Sequence, residues 1–113
     1  MPMIEAKLTR AMSEAEKEEL KADFGKLIEN LGKTESYLMV NIQDSQDLWF
    51  GGRKLEDGAY VSVSLLGDAG SALYNKMTAA VCDVLASKYG IPGQNTYVTY
   101  HPVSDWGWNG RNF

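Results

Sequence analysis

The chain has 113 residues, 44% hydrophobic and 23% charged, with a formal net charge of −4 from 11 Lys and Arg against 15 Asp and Glu. This is the balance of an ordinary globular protein, with no basic stripe for nucleic acid and no basic run for an anionic membrane surface. No apolar stretch approaches the ~18 residues of a spanning helix, and no apolar run follows a basic segment at the N-terminus, so neither a membrane anchor nor a secretory signal is expected. The expected compartment is the cytoplasm. The single cysteine, Cys82, excludes an intrachain disulfide, and one Cys with one His argues against a zinc site. One domain over residues 1–113 is expected, and its small size favours self-association.

Residues 3–8 alternate, with Ile4, Ala6 and Leu8 on one face and Met3, Glu5 and Lys7 on the other, the period of a strand. Ser13-x-x-Glu16 is a capping box. Behind it Leu20, Phe24, Leu27, Ile28 and Leu31 fall at helical spacing, so a helix of about 14–31 closed by Gly32 is expected. Residues 37–43 alternate again, Leu38, Val40 and Ile42 facing one way. The stretch 44–58 reads as loop and turn around Trp49-Phe50-Gly51-Gly52. Residues 59–66 form a third strand. A second helix follows over 71–89, its face made by Leu73, Met77, Val81, Val84 and Leu85, and Gly90 closes it. Residues 96–101 are a fourth strand, and 105–109 a short fifth.

The order is β-α-β twice, a repeat of elements rather than of residues. Each unit calls for a right-handed crossover, which predicts an α/β fold: a four-stranded sheet with both helices on one face. The opposite face carries Ser62, Ser64, Tyr97 and Thr99 among many β-formers. It needs a cover, and association of sheets between subunits is one. The sequence does not set the number of subunits.

Pro2 has distinctive chemistry. An initiator Met before Pro is commonly removed, which frees a secondary amine in a rigid ring. When neutral, that amine can take a proton from a carbon next to a carbonyl, and does so best with a pKa near the working pH. An α-amino group titrates near about 8 and a proline amine is more basic, so the site must lower it. Burial in an apolar pocket does this. Met3, Tyr97, Trp106, Trp108 and Phe113 are candidates for that pocket. The plainer reading is that Pro2 only makes Met removal efficient. Lys33 can hold a substrate carboxylate as a flexible point charge, or merely complement a helix C-terminus. Cys82 reads as a buried small hydrophobe beside Val81, Val84 and Leu85. His101 has no Ser, Cys or carboxylate at a diagnostic spacing and reads as structural or exposed. The acidic run from Glu14 to Glu19 reads as a solvated helix face with favourable first-turn charge.

Several marks occur together and in order: Pro2 after the initiator Met, Gly32-Lys33, Phe50-Gly51-Gly52, Gly67, Tyr97-Val-Thr-Tyr100, Gly107-Trp108-Asn109 and a final Phe113. Over nearly the whole chain this resembles the macrophage migration inhibitory factor branch of the tautomerase superfamily. The resemblance implies a homotrimer, with three sheets as a barrel and six helices outside. It implies keto–enol tautomerase activity on phenylpyruvate-like or dopachrome-like compounds, with Pro2 as general base and acid and no cofactor or metal. It assigns the substrate carboxylate to Lys33 and the backbone N–H of Leu66. Tyr97 would enter the pocket of a neighbouring subunit, and Met3, Thr99, Trp106, Trp108 and Phe113 complete the substrate-binding set.

Three departures stand out. Thr99 replaces an asparagine of the best-known family member, with loss of an amide. Trp106 replaces a small aliphatic residue, which narrows the pocket mouth or offers a stacking face. Gly58 and Val61 stand where the mammalian Cys-x-x-Cys lies, so a thiol–disulfide activity is not expected. The resemblance also leaves open a second function, a cytokine-like ligand of a cell-surface receptor exported without a signal peptide, with a weak or vestigial tautomerase site. A third, decarboxylation or hydration of an unsaturated acid, calls for further charged pocket residues, where the sequence points only to Lys33.

Overall fold

The N-terminal alternation places seven residues, Pro2–Leu8, in strand β1, whose burial alternates along its length. In the computed structural model, which describes residues 1–113, the main elements are β1, α1 (Glu14–Leu27), β2 (Met39–Gln43), β3 (Trp49–Phe50), β4 (Arg53–Lys54), β5 (Ala59–Leu66), α2 (Ser71–Tyr89), β6 (Thr96–Val103), β7 (Gly107–Trp108) and β8 (Arg111–Asn112). The four long strands form one mixed sheet in the order β2-β1-β5-β6. β1 runs parallel to β2, with Ile4 opposite Val40, and antiparallel to β5, with Ile4 opposite Val63. β5 and β6 are parallel, with Val63 opposite Tyr100. This is the expected four-stranded α/β sheet with two helices.

One face of the sheet is apolar and carries the helices. Ile4, Ala6 and Leu8 from β1 and Val61, Val63 and Leu65 from β5 form one cluster with Leu20 and Phe24 of α1 and Met77, Val81 and Leu85 of α2. The opposite face is largely polar. There the Tyr60 hydroxyl lies 2.8 Å from Thr99 Oγ1, which in turn lies 3.0 Å from His101 Nε2. The structure has no helix long and apolar enough to cross a membrane.

The capping box at the start of α1 is complete. Ser13 Oγ accepts from the Glu16 N–H at 3.1 Å, and Glu16 Oε1 accepts from the Ser13 N–H at 3.0 Å. The helix expected over 14–31 is α-helical only to Leu27 and tightens into a 3₁₀ turn over Ile28–Leu31. Three residues per turn eclipse positions i and i+3, so Ile28 and Leu31 both reach the core. The second strand starts at Met39 rather than residue 37, because Glu35–Tyr37 form another 3₁₀ turn.

The stretch read as loop, 44–58, holds the β3–β4 hairpin, with Phe50 opposite Arg53. Its two turn residues, Gly51 and Gly52, have φ of +59° and +82°, the left-handed pair that a two-residue hairpin favours. Asn109 and Gly110, at +52° and +86°, turn β7 back onto β8 in the same way. On α2 the buried stripe starts a turn later than expected, with Met77 buried and Leu73 37% exposed. Cys82 is half-buried rather than buried, and that partial burial pushes its thiol pKa up.

Truncating Phe24 to Ala should cost about 3–5 kcal/mol, whereas Leu73→Ala should cost about 0.5 kcal/mol or less, because only Phe24 leaves a cavity. Urea denaturation of both variants at one protein concentration measures the difference.

Candidate active site

Proline has no N–H to give a ladder, and within a sheet it is tolerated at the first position of a strand. Pro2 takes that position in β1, opposite Leu65 of β5, and is buried. It lines the largest cavity in the chain, about 810 Å³, whose walls come from 13 residues, 8 of them hydrophobic. Met3 lies beside it on β1. Trp106 and Trp108 come from the C-terminal hairpin, and Tyr37 from the 3₁₀ turn ahead of β2. Tyr37 meets Trp108 edge-on with ring centroids 5.9 Å apart. Phe113 stacks on Trp108 at 6.0 Å, and its N–H donates to the Trp106 carbonyl at 3.0 Å. That bond ties the last residue back to the start of the hairpin and holds both tryptophans in place.

The polar half of the site is a short chain of contacts. The Lys33 ammonium donates to the Leu66 carbonyl at 3.1 Å. The Leu66 N–H donates to the carbonyl of Met1 at 3.0 Å. Lys33 and Leu66 line a smaller cavity of about 140 Å³, while Met1 lines the larger one with Pro2. Met1 therefore bridges the two. Burial, and then the charge of Lys33, hold its α-ammonium below the ordinary value of 8.0, since both disfavour a second positive charge there. The Lys33 ammonium keeps two N–H donors beyond the one given to Leu66.

The structure thus gathers Pro2, Met3, Trp106 and Trp108 in one cavity and joins Lys33 and Leu66 to it through Met1. Phe113 is not in its wall; it backs Trp108 and lines a separate depression with Arg111 and Asn112. Tyr97 and Thr99 lie elsewhere in the chain. Tyr97 packs against Phe50 at 5.2 Å and is 62% exposed, while Thr99 is held by Tyr60 and His101. Sequence reasoning missed Ser36, Tyr37, Met39, Ser64, Val103 and Asp105, which also line the cavity. Tyr37 and Met39 were hidden inside an apparently continuous strand. Asp105 was legible only as the neighbour of Trp106. No group of three or more His, Cys, Asp and Glu side chains is placed to hold a metal ion.

A mixed α/β sheet beginning at a buried N-terminal proline is a recognisable class of protein. The family model of macrophage migration inhibitory factor (MIF) matches residues 1–113, and the chain belongs to this family of the tautomerase superfamily. It is 34% identical over 85 residues to a macrophage migration inhibitory factor homologue of Trichuris trichiura, an alignment covering 74% of each chain. It is 29% identical over 84 residues to the Xenopus laevis factor, covering 73% of this chain and 72% of that one. Among solved structures, MIF2 of Leishmania major superposes with a TM-score of 0.91 at 29% identity, covering 100% of this chain and 97% of the other. The homologue from Prochlorococcus marinus gives 0.87 at 28% identity, covering 98% of both.

In the form that keeps Met1, replacing Lys33 by Met should raise the α-amino pKa without restoring it to 8.0, because burial, the larger cause, remains. The pH dependence of selective N-terminal acylation measures it.

Proposed function

We propose that the chain, once Met1 is removed, is a keto–enol tautomerase of phenylpyruvate-like or dopachrome-like compounds with Pro2 as its general base and acid. The observation that carries this reading is the burial of Pro2 in an apolar cavity, next to a lysine and a backbone N–H suited to a carboxylate. Removing Met1 has two effects at once. The Pro2 nitrogen changes from an amide to an amine, and the Leu66 N–H loses the Met1 carbonyl that caps it. A substrate carboxylate accepts from that N–H and from Lys33. Both donors are charged or aligned for an anion, which strengthens the bonds.

The neutral Pro2 nitrogen takes a proton from the carbon between the carbonyl and the aromatic ring. Electrons move to the carbonyl oxygen as an enolate forms, and the prolinium then returns its proton to that oxygen. The reverse sequence converts enol to keto acid, so the reaction is an isomerisation with no net exchange. Pro2 is itself buried in the cavity wall and follows directly on the Met1 amine that burial and Lys33 depress, so the processed amine is proposed to feel the same two influences. Both influences favour the neutral form of an amine, which is the form able to accept a proton.

A homotrimer completes the site. Met39, Tyr97 and Phe113 are 68%, 62% and 60% exposed in the isolated chain, an apolar outlay that association would cover. β2 and β6 are the sheet's edges. Tyr97, remote from the Pro2 of its own chain, is available to a neighbour's pocket, as the family resemblance implies.

Pro2→Gly should lower kcat/KM for phenylpyruvate tautomerisation by about 10²–10⁴-fold, with intact mass verifying Met1 removal in both proteins. A form retaining Met1 should be inactive, because its Pro2 nitrogen is an amide. For the processed enzyme, activity should rise with pH as the prolinium deprotonates, with the midpoint moving upward in Lys33→Met. Processed protein that fails to turn over phenylpyruvate or a dopachrome ester would sink the proposal.

A further inference from the structure

Asp105 is the only charged side chain in the wall of the Pro2 cavity. Its carboxylate has no basic partner among the ion pairs of the chain. Its one side-chain hydrogen bond is accepted from the Ser104 hydroxyl at 3.4 Å. The neighbouring Trp106 and Trp108 and the Tyr37 ring line the same cavity, and Tyr37 and Trp108 meet at 82°. Aromatic faces are the negative ends of their quadrupoles. An exposed, unpaired carboxylate that shares a cavity wall with three aromatic residues favours a cation in that cavity over an anion. Arg111, which pairs with Trp108 across the hairpin, lines the separate depression with Phe113 and not this cavity.

The opposite end of the site has the reverse polarity. There the Lys33 ammonium, the Leu66 N–H and the N-terminal amine meet, and the one carboxylate lining that smaller cavity, Asp68, already accepts from the Tyr74 hydroxyl and the Gly70 N–H. We infer that Asp105, Tyr37, Trp106 and Trp108 form a subsite for a positively charged group at the far end of the substrate. The preferred substrate is then a 2-oxo acid whose carboxylate faces Lys33 and whose other end carries an ammonium or quaternary ammonium. Asp105 is a specificity residue rather than a catalytic one. It also repels a substrate carboxylate that enters the wrong way round, which fixes the binding direction. This inference rests on the tautomerase reading for its substrate class but not for the existence of the subsite.

The test compares phenylpyruvate with its 4-trimethylammonio analogue, using protein freed of Met1 and low ionic strength. The wild type should favour the cationic substrate in kcat/KM by about fivefold. The preference should shrink as salt rises, since the carboxylate is exposed. In Asp105→Asn the ratio should fall to about one, and in Asp105→Glu most of it should return. A wild-type ratio of one or less, or a ratio unchanged in Asp105→Asn, overturns the inference. Quenching of tryptophan fluorescence by phenyltrimethylammonium gives a readout independent of turnover. Its Kd should rise about fivefold in Asp105→Asn, and an unchanged Kd also overturns the subsite. If phenylpyruvate is not turned over at all while the quenching difference appears, the tautomerase reading fails and the cation subsite stands.

Discussion

The interior position of β1 is the constraint on which the rest depends. β1 is hydrogen-bonded on both sides, to β2 and to β5. The N-terminus is therefore held in the middle of the sheet, where neighbouring strands, the C-terminal hairpin and the turn before β2 can surround it. A chain terminus is otherwise among the most mobile parts of a protein. Only this pairing gives the Pro2 nitrogen a fixed place and an apolar environment.

The same pairing sorts the two faces of the sheet. Alternation along β1 and β5 sends Ile4, Ala6, Val61 and Val63 to the helices and leaves Glu5, Tyr60, Ser62 and Ser64 on the other side. A one-residue slip would exchange these sets, so packing against α1 and α2 holds the register. That register also places Leu65 opposite Pro2 and sets Leu66 where its N–H meets the Met1 carbonyl. Core packing and the geometry of the site are thus one problem, solved by one register.

The site is also polarised along its length. The Lys33 ammonium and the Leu66 N–H stand at one part of it, where the neighbouring Asp68 carboxylate is occupied by Tyr74 and Gly70, while the aromatic wall and Asp105 belong to the larger cavity. The hairpin's position depends on a two-residue turn at Asn109-Gly110 and on the closing bond from Phe113 to Trp106. The last residue of the chain consequently influences the site without lining its cavity.

Much of this was legible in the residues. Period-two and helical spacing located the four long strands and both helices, because alternation and the capping box at Ser13 are local and carry their own physical cause. The resemblance names Pro2, Met3, Trp106 and Trp108, which line one cavity, and also Tyr97, Thr99 and Phe113, which do not line it within the single chain. Other features are decided only by long-range contacts. Tyr37 read as the start of a strand, yet the 3₁₀ turn over Glu35–Tyr37 turns it toward Trp108, a partner 71 positions further along the sequence. Asp105 looks like any exposed loop acid until the fold places it in the wall of the Pro2 cavity. The order β2-β1-β5-β6 itself is invisible to periodicity, since alternation states that a segment is a strand and which face is apolar, but not which neighbour it pairs with. The sequence by itself determined the elements and their apolar faces; the tertiary structure decided which polar and aromatic groups meet, because that depends on strand order and on turns joining residues far apart in the chain.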